Sequence, residues 1–88
     1  MNKDKAYSIL SEFLYTRKAR IVSFEYFEKI FGNIVLTIEY EKVCYEFITD
    51  RGEIYMNSQL ICDSSYHVKG KSDTIQKLID VMSKRIFN

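Results

Sequence analysis

The chain has 88 residues, enough for a single α+β domain spanning 1–88 with one modest core, because a chain of this size buries only about 60% or slightly more of its unfolded surface. Apolar residues make up 47% and charged residues 28%, with no proline and three glycines, a balance that excludes a disordered tail. The formal charge of +1 excludes strong selection of partners by net charge alone.

Met1 to Leu10 carries charged and polar side chains where a secretory signal needs an apolar run of about 7 to 15 residues. No window approaches a membrane span. The expectation is a cytoplasmic protein with no membrane partner, in which Cys44 and Cys62 are reduced thiols; export would allow them one disulfide.

From Lys3 to Lys18, the residues Ala6, Tyr7, Leu10, Phe13 and Leu14 recur at three- and four-residue spacing, which predicts an amphipathic helix. Ala19 to Phe31 supports two periods. Ile21, Phe24, Phe27 and Phe31 would continue the helix, whereas Val22, Phe24 and Tyr26 alternate with Ser23 and Glu25 as in a strand. Five of the eight residues from Ile21 to Glu28 are β-branched or aromatic, and Gly32-Asn33 is turn chemistry, so a strand is expected.

In the next segment Ile34, Leu36, Ile38 and Tyr40 alternate with Val35, Thr37 and Glu39, and Val43, Tyr45, Phe47 and Thr49 alternate with Cys44, Glu46 and Ile48. With Glu41-Lys42 at a hairpin tip, Tyr40 faces Val43, Ile38 faces Tyr45 and Leu36 faces Phe47, all on one side. A three-residue loop, Asp50-Arg51-Gly52, then leads to a strand from Glu53 to Met56 or Asn57, placing Tyr55 opposite Phe47 on the core side and Ile54 opposite Ile48 on the other. Residues 58–71 read as a surface connection in which Leu60-Ile61-Cys62 forms at most a short edge strand. Over 73–86, Ile75, Leu78, Ile79, Met82 and Ile86 form an apolar stripe that leaves out Lys77, Asp80 and Lys84, and Asp73 with Gln76 has the form of a capping box. The fold expected is a two-layer α+β domain: an antiparallel meander of three or four strands, with an N-terminal and a C-terminal helix on the face carrying Ile34, Leu36, Ile38, Phe47 and Tyr55.

Chemistry-bearing residues are sparse. His67 is the single histidine, no C-x-x-C pair or H-x-x-x-H spacing exists, and the glycines are too scattered to cradle a phosphate, so no metal, cofactor or catalytic residue is assigned. Most of the seven tyrosines and six phenylalanines fall on core positions rather than on an open stacking surface. Residues 1–24 carry a net +3, 25–53 a net −4 and 54–88 a net +2, so the sheet would repel a nucleic-acid backbone. The non-core face of the sheet, with Glu25, Val35, Thr37, Glu39, Cys44, Glu46, Ile48 and Ile54, combines an apolar row at Val35, Ile48 and Ile54 with carboxylates around it. The plain reading is an ordinary solvated face with a few exposed aliphatics, or one partly covered by the 58–71 connection; the sharper one is a surface for a basic protein partner or a homodimer. Within it Val35, Glu39, Glu46, Ile48 and Ile54 are the candidate partner-binding residues. A competing reading is a small nucleic-acid-binding or regulatory protein using Arg17, Lys18 and Arg20 on the basic flank.

Phe31-Gly32-Asn33, followed by two strands and then Thr49-Asp50-Arg51-Gly52-Glu53, resembles a pattern of small bacterial proteins of the immunity type, which neutralise polymorphic or contact-dependent toxins. The resemblance covers residues 31–56. It implies a non-enzymatic inhibitor of a toxin domain, and it carries over no binding residues, since such proteins differ in the surface they use.

Overall fold

The computed structural model describes residues 2–63 and 71–88. In chain order the elements are helix α1 (Lys3–Tyr15), strands β1 (Arg20–Phe27), β2 (Asn33–Tyr40), β3 (Val43–Asp50), β4 (Glu53–Met56) and β5 (Gln59–Cys62), and helix α2 (Lys71–Arg85). The strands form one antiparallel meander in the order β1-β2-β3-β4-β5, and both helices pack on the same face. This is the expected α+β architecture, with a fifth strand where the sequence suggested three or four.

Helix α1 starts at an Asn2 cap, whose Oδ1 accepts the Lys5 N–H at 2.9 Å. Its end is set by Lys18, whose φ of 61° turns the chain: Ala19 N–H reaches Leu14 O at 3.1 Å and Lys18 N–H reaches Tyr15 O at 3.1 Å. That pair of bonds is a Schellman closure, and it stops the helix before the ambiguous segment. The apolar residues beyond Ala19 are therefore free to follow the strand period. Strand β1 pairs with β2 throughout, with a bulge between Ile21 and Ser23 that leaves Val22 exposed.

The core consists of Ala6, Leu10 and Leu14 from α1, Ala19 just after it, Tyr26, Ile34, Leu36, Ile38, Phe47 and Ile54 from the sheet, and Ile75, Leu78 and Met82 from α2. The β2–β3 pairing is the expected one, with Leu36 opposite Phe47 and Ile38 opposite Tyr45. The β3–β4 pairing is not. The loop has two residues, Arg51-Gly52, with φ of 51° and 92°, so Phe47 faces Met56, Ile48 faces Tyr55 and Thr49 faces Ile54. A two-residue turn with both residues left-handed matches the twist of the flanking strands, and moving the register by one residue exchanges the faces. Ile54 is accordingly buried in the core at 1% exposure, and Tyr55 lies on the outer face.

Lys77 is the second departure, since it is 2% exposed although it lies off the apolar stripe. Its ammonium donates to Gly52 O and, at 3.0 Å, to Asp63 O, tying α2 to the β3–β4 turn and to the end of β5. A lysine can enter the interior in this way because its alkyl stem packs while its head finds carbonyl acceptors. Helix α2 begins at Lys71, two residues before the expected start, so Asp73 lies within its first turn rather than at an N-cap and the expected Asp73/Gln76 capping box does not form; Gln76 Nε2 donates to Asp80 Oδ1 at 3.0 Å.

Candidate functional site

Because both helices occupy one face of the sheet, the other face carries the side chains left over from the core alternation. Cross-strand register assembles them into rows. Glu25, Val35, Ile48, Tyr55 and Leu60 stand side by side across all five strands. Val35, Ile48 and Tyr55 are half-buried and Leu60 is 48% exposed, giving a continuous apolar band across the sheet. Beside it run Ser23, Thr37 and Glu46, and beyond them Arg20, Glu39 and Cys44.

The carboxylates around the band differ in what they already hold. Glu39 is paired with Arg20 at 2.7 Å, and Glu53 Oε1 accepts the Tyr55 hydroxyl at 2.9 Å. That hydrogen bond, then partial burial, then the charges of Glu53 and Asp50 push the Tyr55 phenol up from its ordinary value. Among the described residues the Asp50 carboxylate has only long contacts, to Asn33 Nδ2 at 3.4 Å and to Arg51 Nε at 3.9 Å.

At one end of the band the two sequence stretches that carried the immunity-type resemblance meet. Asn33 Oδ1 accepts the Arg51 N–H at 3.2 Å, and Thr49 Oγ1, buried, accepts the Ile34 N–H at 2.9 Å. The Arg51 guanidinium lies 4.9 Å from the centroid of the Phe31 ring, which is itself 61% exposed. Phe27 and Ile30 are also exposed here, and with Asn33, Val35, Ile48, Thr49 and Asp50 they line a shallow groove of about 310 Å³.

Of the residues expected on the binding face, Val35, Glu39, Glu46 and Ile48 are there, together with Glu25, Thr37 and Cys44. Ile54 is the exception: it belongs to the core, and Tyr55 takes its place. Phe27, Ile30 and Leu60 were missed. Phe27 follows Glu25 by two in a strand and so shares its face, a signal available from the alternation alone. Leu60 joins the band only because β5 forms.

Of the basic residues of the competing reading, Arg17 and Arg20 are engaged within the chain, and Lys18 is the positive-φ residue that ends α1. Arg17 Nη1 donates to Phe13 O at 3.1 Å and Thr16 Oγ1 at 2.9 Å with its guanidinium 3.9 Å over the Phe13 ring, and Arg20 is held by Glu39. Cys44 is exposed on the outer face and Cys62 lies opposite Ile54; both are free thiols. His67 lies outside the described residues. Among the described residues no helix is long and apolar enough to cross a membrane.

No family model matches the chain, and the comparisons with curated proteins and with solved structures likewise give no match.

Proposed function

We propose that the chain is a non-catalytic protein-binding module, acting in the cytoplasm as an immunity-type inhibitor that covers a bacterial toxin domain. The observation that carries this reading is the sheet face opposite the helices, left open by the described residues, with Val35, Ile48, Tyr55 and Leu60 in one band and Glu25, Glu46, Asp50 and Glu53 around it. An apolar centre with a mainly acidic rim, where Arg20 is paired with Glu39 and Arg51 lies over Phe31, is the composition of an interface that gains affinity at its middle and partner choice and association rate at its rim. The acidic rim suits a basic partner, such as a toxin whose own site binds nucleic acid. A second copy of the chain fits less well, since two such faces would set carboxylates against carboxylates.

The test is calorimetric titration of the chain with a toxin domain encoded immediately beside it. Tight binding that Ile48→Asp abolishes, in a protein that still melts cooperatively, supports the reading. Unchanged affinity in that variant removes the face as the site. Tight, salt-sensitive binding of DNA or RNA, lost on replacing Arg17, Lys18 and Arg20, would favour the nucleic-acid reading instead.

A further inference from the structure

Resting on the reading of the outer face as a surface for a basic partner, we infer that the groove between Phe27, Ile30, Val35 and Ile48 seats one arginine side chain of that partner, with Asp50 as its acceptor. Three features of the groove fit an arginine better than an aliphatic side chain or a lysine. Phe27, Ile30, Val35 and Ile48 give it a largely apolar wall, which suits the methylene stem, and Asp50 is the one carboxylate among its lining residues.

That carboxylate has unused capacity. An ionised aspartate accepts at about four lone-pair positions, and strong charge-assisted bonds to it measure about 2.7–2.9 Å. The contacts of Asp50 at 3.4 and 3.9 Å fall well outside this range, whereas Glu39 and Glu53 on the same face already hold close partners. The Arg51 guanidinium lies over Phe31, and its Nε stays 3.9 Å from Asp50. Glu25 and Glu46 also belong to the rim, but Asp50 is the acid that lines this groove and so the one placed to receive an outside guanidinium. Finally, the Phe27 ring forms part of the wall, and a planar guanidinium can stack on an aromatic face as well as fork onto a carboxylate, which an ammonium cannot do.

The experiment is an amide NMR titration of the isotope-labelled chain with three probes: N-acetyl-arginine amide, N-acetyl-lysine amide and N-acetyl-leucine amide. The expected result is saturable shifts at Phe27, Ile30, Val35, Ile48 and Asp50 with the arginine probe, weaker ones with lysine and weaker still with leucine. Asp50→Asn, whose unchanged spectrum elsewhere reports an intact fold, should weaken the arginine probe about tenfold and leave the leucine probe unaffected. Equal binding of leucine and arginine, or arginine binding that survives Asp50→Asn, overturns the assignment. So does the absence of shifts with any probe. Failure here is separable from failure of the wider reading, because the toxin-domain titration with Ile48→Asp tests the face without reference to Asp50.

Discussion

The side-chain oxygen of Asn33 accepts the backbone N–H of Arg51 at 3.2 Å across 18 positions of sequence, so a residue that begins β2 holds the turn that ends β3. A second bond of the same kind stands beside it, from Ile34 N–H to Thr49 Oγ1, but this one is buried. Removing a partner from an exposed bond lets water replace it, whereas removing one from a buried bond strands a donor. Thr49→Val should therefore cost about 1–3 kcal/mol and Asn33→Ala about 0.5–1.5 kcal/mol, as read from urea denaturation. The reverse order would mean that packing rather than hydrogen bonding holds this corner.

Lys77 offers a test of how α2 is fastened. Lys77→Met keeps most of the stem in place and removes the ammonium from the carbonyls of Gly52 and Asp63. Leaving the buried Gly52 carbonyl without this donor should lower stability by about 1–3 kcal/mol, with the β3–β4 turn exchanging its amide hydrogens faster. A variant as stable as the parent would show that the stem supplies the whole contribution.

Several turns place ordinary residues in the left-handed region. Lys18, at the end of α1, has φ of 61°, and Lys42, in the β2–β3 hairpin, has φ of 67°. A Cβ in this region costs roughly 1–2 kcal/mol, partly offset by the greater chain entropy glycine loses on folding. Lys18→Gly and Lys42→Gly should each stabilise by about 0.5–1 kcal/mol, visible as a raised melting temperature.

Alkaline pH should destabilise the protein through its tyrosines. Burial, then the charge of Glu28, raises Tyr26; a hydrogen bond to Glu41, then burial, raises Tyr40; the bond to Glu53, then burial, raises Tyr55. From an ordinary value of 10.0, raised folded-state values mean that both states stay protonated at lower pH and the contribution is complete there. Above that value the unfolded chain ionises first, so stability falls until the folded phenols ionise too. Melting temperatures recorded against pH should decline above about pH 10, and less steeply in Tyr55→Phe. An unchanged slope in that variant would mean that Tyr55 titrates alike in both states.

Much of the fold was legible because its determinants are local. The alternation from Ile34 to Thr49 fixed the faces of β2 and β3 and, with Glu41-Lys42 at the tip, their register. The β3–β4 register was not, because it depends on whether Asp50 joins the turn or the ladder. Arg51 takes a left-handed conformation that its side chain does not favour, so no composition signal marks the two-residue loop. The burial of Lys77 was illegible for another reason: its acceptors, Gly52 O and Asp63 O, come together only after the sheet has formed. For the site, the acidic rim and the Val35–Ile48 pair could be read from the strands, while Tyr55 and Leu60 entered through the shifted register and the fifth strand.

That register can be tested directly by aspartate substitutions along it. Leu36 and Ile54 are buried against the helices, so Leu36→Asp and Ile54→Asp each force a charge with no partner into the core and should cost on the order of 3–5 kcal/mol, enough to unfold a small domain. Ile48 is half-buried on the opposite face, where the new carboxylate can reach water. Ile48→Asp should therefore lose only about 1 kcal/mol of apolar burial and remain folded, as should Tyr55→Asp after a similar loss. Circular dichroism and urea titration of the four variants give the comparison. With a three-residue loop the roles of the two β4 residues would exchange: Ile54→Asp would be tolerated, and Tyr55→Asp would unfold the chain. Were Ile48→Asp to unfold it as well, the outer face would be covered in solution, and the band of Val35, Ile48, Tyr55 and Leu60 would be an internal contact rather than a surface open to a partner.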